Sequence, residues 1–218
     1  AYWHAIAHDE LLQERINKNK GLFLLPTWKG KLDSANTVAT PCPPYRILSI
    51  DGSQIYHDRH QGLPLCFVIN IGGCYLEYEP SCAKLFSEPY LFFMQDLNSI
   101  DTQQDLSIST DLVDLKREEL ELEIAFTQSH NWQTIARAQH DQRMFLCMFD
   151  GSLIFWHLES KTKQLRNQFL SMYLQQLEKL YQSKIPMVGY ISFPQSSELI
   201  NIIAADLCNA ATKTCSIC

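Results

Sequence analysis

The sequence predicts an α/β protein built on one mixed sheet, in which an antiparallel three-strand meander is followed by alternating strands and helices. Three observations carry that expectation. An apolar run, Tyr45-Arg46-Ile47-Leu48-Ser49-Ile50, ends on Asp51-Gly52-Ser53. Its β-branched weight, and the Pro43-Pro44 pair before it, read as a buried strand that no helix leads into. A second run, Met144 to Phe149, ends on the same phrase, Asp150-Gly151-Ser152. Two long segments of helical period then flank that second strand, one on each side of it in the chain.

Taken in order, residues 4 to about 20 follow a helical pattern with Leu11, Leu12 and Ile16 on its apolar face, stopped by Asn19 and Gly21. Pro26, Gly30, Pro41, Pro43 and Pro44 mark a connecting segment. The strand at 45–51 follows, with Gly52 expected to turn the chain where Asp51 leaves the core. Leu65–Ile71 and Gly73–Tyr78 read as two further strands joined by a Gly72-Gly73 hairpin turn, the second of them at a sheet edge with Cys74, Leu76 and Tyr78 on one side. Residues 80–108 are mixed, and Leu91-Phe92-Phe93-Met94 suits a strand or a buried anchor. Leu112 to about Ala138 is the longest helix, with Leu112, Leu115, Leu122, Ala125 and Phe126 in period. The strand 144–150, a helix from Leu158 to about Gln182, a strand 185–192 and a final helix opening at Ser196-Ser197-Glu198 complete the chain. The order β-β-β-α-β-α-β-α is that of the RNase H-like fold. Residues 1–44 form an N-terminal helix and connector, and 45–218 the sheet domain.

Composition narrows the class. Of 218 residues, 46% are apolar and 19% charged, which permits a sizeable core and argues against global disorder. The net charge of −6 excludes a surface coated in basic charge but leaves room for a local basic groove and for carboxylates that hold metals. No run approaches the ~18 apolar residues of a membrane span, and no export signal opens the chain, so the reading is a cytoplasmic protein without membrane contact. Among eight cysteines, Cys66 and Cys147 lie in apolar strands and read as small core residues. Cys208, Cys215 and Cys218 crowd the tail. Three thiols fall short of the four ligands of a structural zinc or iron–sulfur site, so buried or loose thiols is the preferred reading and a tail metal site the lesser one.

The repeated Asp-Gly-Ser carries the chemistry. One Asp-Gly is adequately explained as a turn. Two copies, each after a buried strand and each followed by a hydroxyl, favour a shared acidic site. In an RNase H-like sheet the first and fourth strands are neighbours, which brings Asp51 and Asp150 together. Carboxylates that close repel one another unless a cation holds them, and Mg²⁺ or Mn²⁺ prefer oxygen ligands. A third acid should come from the helix before the fourth strand, where Glu118, Glu119, Glu121 and Glu123 are available. Most of these must be a solvated face. Glu121 stands out because Arg117 precedes it by one turn and can orient it, while Ala125 one turn later leaves room. Glu119 and Glu123 are expected to be mostly solvated. Three acids with one or two divalent ions support attack of water on a phosphodiester. No Gly-rich phosphate loop, Gly-x-Ser-x-Gly elbow or His-Glu-x-x-His is present. His57-Asp58-Arg59-His60 reads as an exposed turn.

Ile47 to Ser53, the Arg117-x-x-x-Glu121 helix, Phe149 to Leu153, and Gly189-Tyr190-Ile191-Ser192-x-Pro194-x-Ser196-x-Glu198-Leu199 together resemble the NurA nuclease domain over about residues 45–203. The resemblance implies a manganese-dependent nuclease on an RNase H-like fold that resects DNA ends 5′ to 3′, cuts single strands, forms a homodimer and works with the hexameric translocase HerA. It carries the metal acids onto Asp51, Glu121 and Asp150, with Ser53 and Ser192 beside the substrate. Two departures stand out. No histidine follows His157, whereas family members carry one near the site beyond the last helix, so the chain reads as a portion that lacks a fourth site residue. Ser192 stands where some members have lysine. The tail cysteines are no part of this resemblance. Two other readings remain: an RNase H-like domain that binds nucleic acid or a partner without cutting, and a metal-dependent phosphatase with a closed pocket. For docking and dimer contacts, Tyr2-Trp3, Leu22-Phe23-Leu24-Leu25 and Trp28 are candidates, the competing reading being that they cover the open face of the sheet.

Overall fold

A computed structural model describes residues 9, 11–32 except 18–25, 34–37, 43–56, 66–93, 110–192 and 196–207. The chain divides into two compact units, residues 42–192 and residues 1–41 with 193–218.

The larger unit holds β1 (Tyr45–Ile55), β2 (Cys66–Tyr78) and β3 (Cys82–Phe93), then helix α2 (Thr110–Ala138), β4 (Met144–Asp150), helix α3 (Lys163–Gln182) and β5 (Met187–Tyr190). The strands form one sheet in the order β3-β2-β1-β4-β5. β1, β2 and β3 are successively antiparallel, while β4 and β5 run parallel to β1. This is the order and polarity of an RNase H-like sheet. The sequence thus places the meander correctly and its turn wrongly. β2 runs straight through Gly72-Gly73, and the chain reverses instead at Glu79-Pro80-Ser81. β2 is therefore a central strand, and β3, left unassigned by pattern, is the edge. The glycines serve packing: a Cβ on Gly73 would collide with the Phe86 ring of its cross-strand partner and lie 2.8 Å from the Ser49 carbonyl.

Alternation fixes the faces. In β1 the buried residues are Arg46, Leu48 and Ile50, and in β4 Phe145, Cys147 and Phe149. These meet α2 and α3 through Leu115, Leu122, Phe169 and Tyr173, forming one core with Phe67, Ile69, Ile71 and Tyr75 of β2. The Tyr173 hydroxyl donates to the Leu115 carbonyl at 2.8 Å, which ties α3 to α2. Cys147 is fully buried as expected, whereas Cys66 is half-buried on the other face. The helix expected from Leu158 divides in two: a 3₁₀ turn at Trp156–Ser160, then α3, which Thr162 caps by accepting from the Leu165 N–H.

In the smaller unit, α1 (Leu12–Asn17) and α4 (Glu198–Leu207) pack Leu12 and Ile16 against Ile202 and Ala205. Trp28 packs on that cluster and is half-buried. Tyr2, Trp3 and Leu22–Leu25 lie outside the described residues, as do His57–His60 and Cys208, Cys215 and Cys218. No helix among the described residues is long and apolar enough to cross a membrane.

Candidate active site

The site grows from the pairing of β1 with β4. Their last registered pair is Ile50 with Phe149, so Asp51 and Asp150 stand one step further on, side by side on neighbouring parallel strands. Both follow buried residues, and strand alternation turns both to the face away from α2 and α3, where both are exposed. Ser53 lies two residues beyond Asp51 on that same face and is exposed, and Ser192 follows the end of β5, also exposed. At β4 the chain leaves the sheet as the Asp-Gly reading expects: Gly151 has φ +143°, and its N–H donates to the Tyr190 carbonyl at 2.9 Å. At β1 it does not. The strand continues to Ile55, and Gly52 sits within it.

Gly52 has a different task. It faces α2, where a Cβ would collide with Glu121 Oε1 and lie 2.9 Å from Arg117 Cγ. The bare glycine lets α2 bring the Glu121 carboxylate against the helix side of β1, the face opposite the one that Asp51 occupies. Glu121 is 3% exposed and ion-paired to Arg117, one turn before it, as the sequence spacing predicts. Burial pushes its carboxyl up to about 7, the Arg117 guanidinium works in the opposite direction, and the charges of Glu118 and Asp51 add to the rise. The other helix acids sort unevenly. Glu123 is exposed as expected. Glu119 is not: it is 6% exposed and bonded to Lys116 at 2.9 Å. Lys116 lies 5.6 Å over the Phe92 ring, so the end of β3 and this lysine cover a position that helical spacing alone assigns to water. Glu118 is half-buried and meets His157 Nε2 at 2.8 Å.

Sequence reasoning missed the residues around that pair. Gln54 and the Tyr56 hydroxyl both donate to Asp114, at 2.9 and 2.5 Å, and Lys161 pairs with Asp111 at 2.8 Å. With Arg117, Glu118 and His157, Gln54, Tyr56, Asp114 and Lys161 line a polar cleft of about 370 Å³ on the helix side of β1. The spacing Gln54-x-Tyr56 carries no motif, so only the approach of α2 reveals it.

Among the described residues no three His, Cys, Asp or Glu side chains converge as a ready metal cage. The donor set nevertheless suits a hard divalent ion. Two exposed carboxylates, Asp51 and Asp150, stand side by side on neighbouring strands, while the buried Glu121 carboxylate lies on the opposite, helix-facing side of β1 and pairs with Arg117.

Comparison with known proteins bears on the same elements. No curated protein matches the chain. Among solved structures, the NurA nuclease from Sulfolobus solfataricus is similar at 10% identity, covering 88% of this chain and 57% of that one, with a TM-score of 0.41. A NurA structure bound to dAMP and manganese is similar at 13% identity, covering 88% of this chain and 39% of that one, with a TM-score of 0.30. The chain thus spans little more than half the length of the first of these. The profile of the NurA domain matches residues 45–218. That single match takes in the strands bearing Asp51 and Asp150 and the helix bearing Arg117 and Glu121, and the chain belongs to the NurA family.

Proposed function

We propose that this chain is a divalent-metal-dependent DNA nuclease, a 5′ to 3′ exonuclease and single-strand endonuclease that serves DNA end resection in double-strand break repair. The observation that carries the reading is the pair Asp51 and Asp150, exposed side by side on neighbouring parallel strands. Membership of a family whose Sulfolobus solfataricus representative is a nuclease supports it. Asp51 and Asp150 would hold Mn²⁺ or Mg²⁺, and the family resemblance assigns Glu121, on the helix side of β1, as the third oxygen donor. The bound ion supplies an activated water and neutralises charge on the leaving oxygen. The chain's own residues do the rest. Arg117 pairs with Glu121 and opposes the rise that burial gives its carboxyl, Gly52 lets it approach β1, and Ser53 and Ser192 offer hydroxyl donors to a backbone phosphate near the two aspartates.

A chain of net charge −6 has little general attraction for DNA, so delivery by a partner fits this reading. The family resemblance points to a HerA-type hexameric translocase and to a homodimer. The exposure of both aspartates suits an extended substrate better than the closed pocket of a small-molecule phosphatase. A non-catalytic nucleic-acid- or partner-binding domain draws support from the engagement of Glu121 with Arg117.

Incubation with end-labelled single- and double-stranded DNA in Mn²⁺, Mg²⁺ or chelator separates the readings. Cleavage with either ion, its loss in chelator, and its loss in folded Asp51→Asn and Asp150→Asn are expected. Full activity in either variant with Mn²⁺ present would overturn the metal site, and no cleavage by the wild type under any condition would favour the binding domain.

A further inference from the structure

At the opposite end of β1 from Asp51 lies a cluster that the nuclease chemistry does not use. A cleft of about 280 Å³ there is lined by Arg46, Arg137, Arg143 and Lys184, with Asp141 as its carboxylate. Four cations in one cleft are conspicuous in a chain of net charge −6. Arg143 is fully engaged, bonding Asp141 at 2.7 Å, Glu77 at 2.9 Å and the Glu79 carbonyl at 3.1 Å. Arg46 is 3% exposed and donates to the Arg143 carbonyl at 3.0 Å, with Asp141 at 3.6 Å. Its Nε is buried without a partner, as is Gln133 Oε1 in the same cleft. Arg137 and Lys184 are exposed, and neither has a carboxylate partner among the described residues.

A second observation adjoins the first. Lys184 and Pro186 also line a neighbouring groove of about 550 Å³, whose wall includes Tyr181 with 75% of its surface exposed. The two helix C-termini that end nearby account for some of the positive charge, since cations offset the negative end of a helix. They account neither for an exposed tyrosine beside the cations nor for a buried guanidinium Nε left unpaired. A positive cleft next to an exposed aromatic ring is the pairing by which proteins hold single-stranded nucleic acid, phosphates on the cations and a base on the ring.

We propose that the N-terminal ends of β4 and β5 carry a second strand-binding site, in which the cleft of Arg46, Arg137 and Lys184 takes a backbone phosphate and Tyr181 stacks a neighbouring base. Five residue steps along β1 lead from Arg46 to Asp51, about 17 Å at ~3.3 Å per residue. At ~3.4 Å per nucleotide of stacked strand, about five nucleotides bridge the two ends of the sheet. The site would hold the strand while its other part lies at the carboxylates.

The test is binding of labelled oligothymidylates of 3 to 20 nucleotides, by fluorescence anisotropy in chelator with no cleavage. It is thereby independent of whether the chain cuts DNA. Arg137→Gln/Lys184→Gln should weaken binding of the 20-mer about tenfold and flatten the dependence of log K on log salt by about 1.4, at ~0.7 per lost phosphate contact. Tyr181→Ala should weaken it on the order of five- to a hundredfold, with Tyr181→Phe near the wild type. All of these side-chain changes are at exposed positions, and unchanged circular dichroism confirms the fold. Wild-type affinity and salt slope in both the double variant and Tyr181→Ala would overturn the site. So would displacement of the 20-mer by micromolar dTMP, which would assign the cleft to a free nucleotide.

Discussion

Gly52→Ala tests whether the strand really makes room for Glu121. A Cβ at this position collides with Glu121 Oε1 and lies 2.9 Å from Arg117 Cγ and 3.1 Å from Glu121 Cγ. Glu121 is 3% exposed and cannot swing into water, while the Arg117 side chain is 27% exposed and can yield only in part. Overpacking of this kind costs about 1–3 kcal/mol. In a chain of this length that lowers Tm by roughly 2–4 °C per kcal/mol, so about 4–8 °C for a cost near 2 kcal/mol. The assay is a double-mutant cycle with Glu121→Ala, followed by urea unfolding and by near-ultraviolet dichroism, to which the Trp132–Tyr75 stack at 4.0 Å contributes. Without the Glu121 carboxylate, the methyl finds space and Arg117 is free to move. Gly52→Ala should then cost less than about 0.5 kcal/mol, giving a coupling of about 1–2 kcal/mol. Equal cost of Gly52→Ala in both backgrounds would refute the claim that Gly52 exists to admit Glu121.

Other expectations follow from the same contacts. Asp141 is held down to about 2, chiefly by its side-chain bonds from Arg143, with the Arg46 charge adding to the effect. Its folded value lies below the unfolded one of 3.8, so its contribution is present above about pH 4 and is lost as pH falls through about 2. A tenfold change in a protonation equilibrium is worth ~1.4 kcal/mol, and solvent screens part of this pair, so Asp141→Asn should cost about 1–2 kcal/mol at neutral pH. It should also flatten the acid limb of stability between about pH 4 and 2, read by urea titrations at stepped pH; an unchanged limb would count against the pair. Tyr173→Phe removes the 2.8 Å bond to the Leu115 carbonyl and should cost about 1 kcal/mol by chemical unfolding. Gly73→Ala drives a methyl into the Phe86 ring and to 2.8 Å from the Ser49 carbonyl, so it should cost more than about 2 kcal/mol, and Phe86→Ala should relieve most of it.

The fold class was legible because period and order both survive translation into structure. The strand at 144–150 and the helix near 110–138 stand where pattern puts them, and Arg117 meets Glu121 as one-turn spacing requires. Illegible features all depend on what lies across the sheet or beside the helix. Gly72-Gly73 looks like a turn until Phe86 is known to lie against it. Glu119 looks solvated until Lys116 and Phe92 cover it. The cleft of Gln54, Tyr56 and Asp114 joins residues about sixty apart in sequence, which no local window connects.

The two Asp-Gly-Ser triplets show why identical sequence gives different backbone. After Asp150, β4 has for its outer neighbour only the four-residue β5, which ends at Tyr190 opposite Asp150. No ladder remains to continue on that side, and Gly151 turns away at φ +143°. After Asp51, β1 still has β2 alongside: Ser53 pairs with Asn70 and Ile55 with Val68, so the ladder carries the strand four residues further. The triplet permits a turn in both places, and the neighbour decides whether one occurs. What the triplet does fix is parity. In each strand the aspartate follows a buried residue, Ile50 or Phe149, and so faces away from the helices. The adjacency of Asp51 and Asp150 therefore depends on the β1–β4 register and on alternation. It does not require that either strand end there, which is why the adjacency of the two aspartates was legible from a turn that, at β1, is not made.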